Sequence, residues 1–232
     1  MEFEQWEPVY EAILADFGYG RAGDKRARDR LAELLDSSFD PGALDWRGQT
    51  VAIAGGADSI AEESERQLAA DADVVVAASI AADRLRDHEI AVDCMVTDLD
   101  KNPETVVELT TAGTPVAVHA HGDNEAALDE WVPKLDHEFV LPTTQAAPAD
   151  GVRNFGGFTD GDRAAFLADA RGAAELVFPG WTFDDPTVDA EKAHKLRWAE
   201  RLLYWLEHRR EQQFTVLDGR RETLDSAGLP VE

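Results

Sequence analysis

Residues 50–100, TVAIAGGADSIAEESERQLAADADVVVAASIAADRLRDHEIAVDCMVTDLD, decide the fold. Three short apolar runs, Thr50–Ala54, Val74–Ala78 and 91–96, read as strands. Residues 60–70 and 81–87 lie between them with helical character. Short strands alternating with helices predict a doubly wound, mostly parallel α/β sheet flanked by helices. The third run ends in Val96-Thr97-Asp98-Leu99-Asp100. Carboxylates at i and i+2 of a strand point the same way, so Asp98 and Asp100 can share one cation. Oxygen-only ligands suit a hard ion such as magnesium, which commonly also binds phosphates. In an Asp-rich protein, an Asp-rich turn is the alternative.

The alternation continues outward. Strands are expected at 115–119, 139–141 and 174–178, and helices at 103–112 (opened by Asn102), 126–135, 163–171 and 189–210, with a closing hairpin at 214–222. Residues 1–47 differ. Phe3, Trp6, Val9, Tyr10, Ile13, Leu14 and Phe17 recur at helical spacing up to Gly18. Asp24 is placed to cap a second helix carrying Ala27, Leu31, Leu34 and Leu35, and Pro41-Gly42 breaks the chain. The organisation predicted is an N-terminal helical segment, 1–47, capping an α/β domain, 48–232.

Composition bounds the function. The 232 residues are 44% hydrophobic, enough for one large core, and no apolar run approaches a membrane span. The start of the chain is acidic and amphipathic, unlike a signal peptide. The single cysteine, Cys94, fits a reducing cytoplasm and reads as a small buried hydrophobe. Asp and Glu number 47 against 22 Lys and Arg, a net charge of −25. Such self-repulsion is tolerated where salt is molar, because screening then acts within about 3 Å. A halophilic setting is expected, and bulk nucleic-acid binding is argued against.

Every unusual polar motif falls where a strand should end, the side on which open parallel sheets bind ligands. Gly55-Gly56-Ala57-Asp58-Ser59 follows the first strand. It reads either as a phosphate-approaching turn or as a tight turn with a helix cap. His119-Ala120-His121-Gly122-Asp123-Asn124 follows the fourth strand. Asp123 is expected beside the metal, with His121 lining the pocket, Asn124 capping the next helix and His119 either lining the pocket or simply filling a strand end. Asn154-Phe155-Gly156-Gly157-Phe158-Thr159-Asp160-Gly161-Asp162 precedes a helix that Thr159, Asp160 or Asp162 can cap, and Phe155 and Phe158 can stack on a flat ring. Only five residues are lysine: Lys25, Lys101, Lys134, Lys192 and Lys195. Lys192 and Lys195 extend the buried stripe Leu196, Ala199, Leu203 and Leu206 toward the N-terminus of the last long helix, where they can meet phosphate. The spacing places Lys195 nearer the core and Lys192 nearer the open end.

These motifs together resemble the archaeal-type 6-hydroxymethyl-7,8-dihydropterin pyrophosphokinases, relatives of the thiamin pyrophosphokinase fold. The resemblance rests on the Gly55–Ser59 turn, Thr97-Asp98-Leu99-Asp100, His119–Asn124, the 156–163 loop and Lys192 with Lys195-Leu196, and spans most of the chain from Gly55 onward. It implies transfer of pyrophosphate from ATP, with Mg2+, to a reduced pterin in folate or tetrahydromethanopterin biosynthesis. Asp98, Asp100 and Asp123 would hold metal, Gly55, Gly56, Ser59 and Lys192 would meet the nucleotide, and Lys195 would act in catalysis. His121, Asn154, Phe158 and Asp160 would contact the pterin, and a homodimer is possible. Rival readings are a thiamin-type diphosphokinase, a non-catalytic nucleotide-binding module, and a metal-dependent hydrolase built on His119, His121 and Asp123.

Overall fold

The computed structural model describes residues 1–231. Six parallel strands, β1 (Thr50–Ala54), β2 (Val74–Ala78), β3 (Cys94–Thr97), β4 (Val116–Ala120), β5 (Val140–Thr144) and β6 (Glu175–Val177), form one sheet in the order β5-β4-β3-β2-β1-β6. Side-chain alternation divides the core between its two faces. Val51, Ile53, Val76 and Val96 face one way, packing with α1 (Phe3–Phe17), α7 (Asp160–Ala170) and α8 (Ala190–Arg210). Ala52, Val75, Ala77 and Met95 face the other, toward α2 (Arg21–Leu34), α3 (Glu63–Ala70), α4 (Ala81–Arg86), α5 (Pro103–Thr111) and α6 (Glu125–Trp131).

The winding follows from that division. β1 to β5 step sequentially in one direction with their connecting helices on one face. The chain then crosses by α7 on the opposite face and lays β6 beside β1. Loops leaving β1 and β6 therefore diverge to opposite faces, which opens a crevice at their carboxyl ends.

The N-terminal helices straddle this sheet. In α1, Trp6 is 1% exposed and stacks on Trp205 of α8 at 6.3 Å. Burying such a ring contributes on the order of 3 kcal/mol. Ala27 and Leu31 of α2 join the other core. Asp24 does not cap α2, which begins at Arg21 after Gly20; it lies inside the helix, buried. The expected hairpin at 214–222 is absent. Two 3-10 turns, Thr215–Leu217 and Arg221–Thr223, take its place, fixed by Arg221 donating to the Phe214 carbonyl and ion-pairing with Glu207. Cys94 is fully buried, which pushes its thiol up to about 12. Among the described residues, no helix is long and apolar enough to cross a membrane.

Most of the acidic excess lies on the surface, where few basic partners exist. Lowering potassium chloride from molar to tens of millimolar is therefore expected to lower the melting temperature, as screening of like charges fades. A midpoint flat across a salt series would sink the reading of the acidity as an adaptation to brine.

Candidate active site

The carboxyl ends of β3, β4 and β5 and the N-terminus of α8 enclose a cleft of about 760 Å³. β3 ends at Thr97, so the alternation of a strand does not align Asp98 with Asp100. A turn does. Leu99 adopts a left-handed conformation (φ 67°), its N–H bonds the Thr97 hydroxyl (3.0 Å), and its side chain is buried. Asp98 and Asp100 flank that turn. Asp160, the first residue of α7, completes a group in which one carboxylate oxygen from each residue lies within 4.8 Å of the others. Thr159 and Asp162 form the capping box that starts α7, so the helix begins three residues before the expected 163 and presents Asp160 to the cleft.

The electrostatics of the three differ. Burial opposes ionisation of Asp98, but its bond with His121 (3.2 Å), the neighbouring Asp100 and the Arg163 charge hold it well below the usual carboxylate range. Burial and the adjacent Asp98 push Asp100 up to about 6. Burial and the Asp98 charge push Asp160 up to about 7, although Arg163 sits 2.9 Å away. Three crowded carboxylates with oxygen donors only are what a hard divalent cation neutralises, so the residues present fit magnesium.

Surrounding groups fix this cluster. Asn124 occupies the N-cap position of α6 without capping it. Its amide donates to the carbonyls of Asp98 (2.9 Å) and His119 (2.7 Å) and accepts from the His121 N–H, tying the β3 and β4 loops together. Asp24 accepts from the Tyr10 hydroxyl (2.5 Å), Gln145 (2.9 Å) and the Gly122 N–H (2.7 Å), which anchors the β4 loop to the N-terminal helices. Arg163, nearly buried, spans Asp160 and Gln145.

The other residues singled out in the sequence divide. His121, Asp123, Phe158, Asp160, Lys192 and Lys195 all line the cleft. Asp123 is outside the three-carboxylate group, and Asp160 stands where Asp123 was expected. Gly55 and Gly56 line a second, smaller cavity instead of the main cleft. Ser59 lines neither, and its buried hydroxyl has no partner among the described residues. Asn154 is spent on structure: it donates to the carbonyls of Gln145 and Ala146 and accepts from the Gly156 N–H. His119 is buried against Thr143 (3.1 Å) and reaches neither cavity.

The lysines reverse their expected order. Lys195 is ion-paired with Glu191 (2.9 Å). Burial works against its charge, but Glu191 keeps it above its usual value. Lys192 lines both cavities and has no ion pair among the described residues; burial and the nearby Lys101 lower it. Lys101, 4.0 Å from Asp100, also lines both cavities. Its signal in the sequence was its position immediately after Asp98-Leu99-Asp100 in a chain so poor in lysine.

Comparison with known proteins gives the family. Residues 25–187 match the family described as 6-hydroxymethylpterin diphosphokinase MptE-like. The chain belongs to this family. A protein of Methanothermobacter thermautotrophicus named 6-hydroxymethyl-7,8-dihydropterin pyrophosphokinase is 36% identical over 228 residues, covering 89% of this chain and 96% of the relative. Proteins of the same name from Pyrococcus furiosus and Methanocaldococcus jannaschii are 35% and 29% identical, over 90% and 92% of this chain and 95% and 99% of theirs. As a member of the MptE-like family, the chain is a pyrophosphokinase, a diphosphotransferase. The family match begins at Lys25 and ends at Thr187, so it takes in Asp98, Asp100 and Asp160 but not Lys192.

Proposed function

We propose that the protein transfers the pyrophosphoryl group of ATP to the hydroxymethyl oxygen of 6-hydroxymethyl-7,8-dihydropterin, with magnesium, giving the pterin diphosphate and AMP. The observation that carries this reading is the carboxylate trio of Asp98, Asp100 and Asp160 beside Lys101, Lys192 and Lys195 in one cleft. The relatives' names support the acceptor. The product belongs to folate or tetrahydromethanopterin biosynthesis, and the setting is a cytoplasm rich in salt. The hydrolase reading loses its basis, because His119 is buried and lines neither cavity, and His119, His121 and Asp123 form no metal-ligand group among the described residues.

In the reaction, the alcohol oxygen forms a bond to the β-phosphorus. The bond from that phosphorus to the oxygen bridging toward the α-phosphate breaks, AMP leaves with that oxygen, and the alcohol proton is released. Phosphoryl chemistry of this kind is promoted mainly by positioning and charge neutralisation. Asp98, Asp100 and Asp160 would hold the magnesium, which supplies positive charge to phosphate oxygens. Lys192 and Lys101 present cationic charge where the two cavities meet, and Lys195 presents it farther along the cleft wall. His121 orients Asp98, and Arg163 braces Asp160.

Incubation with ATP, magnesium and the reduced hydroxymethylpterin in molar potassium chloride is expected to yield AMP in proportion to pterin consumed. ADP as the sole product would overturn pyrophosphoryl transfer and leave a simple kinase.

A further inference from the structure

The smaller cavity, about 150 Å³, opens between the loops that follow β1, β2 and β6. It sits at the crevice where the loops after β1 and β6 diverge. Its most constrained wall is Trp181. The indole N–H donates to the carbonyl of Ile53 at the end of β1 (2.8 Å), and Phe178 and Phe183 pack against the ring, each at 5.6 Å. Two glycines make room for it. A Cβ at Gly161 would lie 2.7 Å from the far edge of the indole, and one at Gly55 would lie 2.9 Å from its near edge and 2.4 Å from the Gly180 carbonyl. The glycine of the β1 turn is therefore required by the indole and the β6 loop. Ile80 and Leu196 supply further apolar wall.

Polar groups also line the slot. Ser79 is held in a left-handed conformation (φ 49°) with its hydroxyl lacking a partner among the described residues. Asp185 uses one carboxylate oxygen to accept from the N–H and hydroxyl of Thr187 (2.8 and 2.6 Å), which leaves the other free to accept. Lys101, Asp160 and Lys192 belong to this cavity and to the main cleft alike, so the slot opens onto the carboxylate trio.

From this geometry we infer that the Trp181 slot binds the flat bicyclic ring of the alcohol acceptor, not the nucleotide, with Asp185 accepting from its amino edge and its hydroxymethyl arm directed at Asp160 and Lys192. The inference rests on the function proposed above. Size is consistent with it: the slot, about 150 Å³, admits one flat bicyclic ring, and the triphosphate chain of the donor has room in the larger, lysine-lined cleft. Chemistry argues for it too. The free oxygen of Asp185 can accept one N–H from the amino edge of a 2-amino-4-oxo pyrimidine ring, whose neighbouring ring position is a second donor, whereas adenine sets an acceptor beside its amino group that a carboxylate repels. A rigid indole supplies stacking at little entropic cost. The glycine turn after β1 thus passes from the nucleotide, where the family resemblance placed it, to the acceptor.

The test uses Asp185→Asn, at a half-buried rim position outside the core, and Trp181→Leu. Binding of oxidised 6-hydroxymethylpterin, itself fluorescent, is titrated without ATP, and KM is measured for pterin and for ATP separately. Loss of one charge-assisted hydrogen bond is expected to weaken pterin binding about tenfold in Asp185→Asn, with the KM for ATP unchanged. Trp181→Leu should weaken it at least as much. Should Trp181→Leu fail to fold, Asp185→Asn alone decides. A rise confined to the KM for ATP would place adenine in the slot and overturn the inference, as would unchanged pterin binding in a folded Asp185→Asn. Wild-type protein that binds the pterin but yields no AMP from ATP would sink the proposed activity instead, since the binding arm needs no turnover.

Discussion

Asp98→Asn is expected to lower kcat by roughly a thousandfold or more while the fold survives. Losing a metal-bridged transition state costs several kcal/mol, and each 1.4 kcal/mol is about tenfold. Asp98 carries this weight because it links the trio to His121 and is the member held most firmly ionised. The fold survives because Asp98 lies in the turn after β3, outside both apolar cores. The same variant separates binding from folding. Burial and mutual repulsion push Asp100 to about 6 and Asp160 to about 7, from an ordinary 3.8. Between about pH 4 and 7 the metal-free folded state therefore holds more protons than the unfolded chain, and these two groups make stability fall as pH rises through that window. Removing the Asp98 charge relieves the crowding on Asp100 and Asp160 but forfeits the favourable His121 and Arg163 interactions of Asp98, so the two effects oppose each other and metal-free Asp98→Asn should melt close to wild type at pH 7. Magnesium should raise the wild-type midpoint and leave the variant's nearly unmoved. Near-normal turnover in Asp98→Asn at saturating magnesium would remove the trio from the mechanism.

Much of this arrangement was readable because it follows from periodicity. The short apolar runs of β1, β2 and β3, alternating with helical stretches, match buried parallel strands, and the motifs at their ends had to collect on one edge. What periodicity cannot supply is the geometry of irregular backbone. Asp98 and Asp100 converge through the left-handed Leu99, not through strand alternation. Asp160 replaces Asp123 because the Thr159–Asp162 capping box starts α7 early and turns Asp160 inward. Asn154 and Asn124 carry the polar side chains of site residues, but their amides are consumed by neighbouring carbonyls. Asp24 had the sequence context of a helix cap, yet long-range partners at Tyr10, Gln145 and Gly122 claim it. The contacts to Gly122 and Gln145 join residues 98 and 121 positions apart, and no local pattern encodes them.

The two lysines of α8 should then behave oppositely to what their spacing along the helix predicts. A lysine on phosphate acts as a point charge, and its value depends on what else neutralises it. Lys195 already has Glu191 at 2.9 Å, so part of its charge is satisfied before any ligand arrives. Lys192 has no such partner among the described residues and stands where the slot, the cleft and Asp160 meet. Burial lowers its affinity for the proton, which means its charge is poorly solvated and gains most from an incoming anion. Charge that builds on the moving phosphoryl group during transfer is therefore best met by Lys192. Lys192→Met is expected to lower kcat and kcat/KM together, by about 10²–10³-fold, the size of effect seen when a preorganised electrostatic donor is removed. Lys195→Met should instead raise the KM for ATP by about tenfold with kcat nearly unchanged, the pattern of an anchor used equally in ground and transition states. Steady-state kinetics on both variants with ATP and pterin varied in turn distinguishes the roles. A kcat loss larger in Lys195→Met than in Lys192→Met would restore the order read from the helix alone, and would mean that the Glu191 ion pair opens when ATP binds.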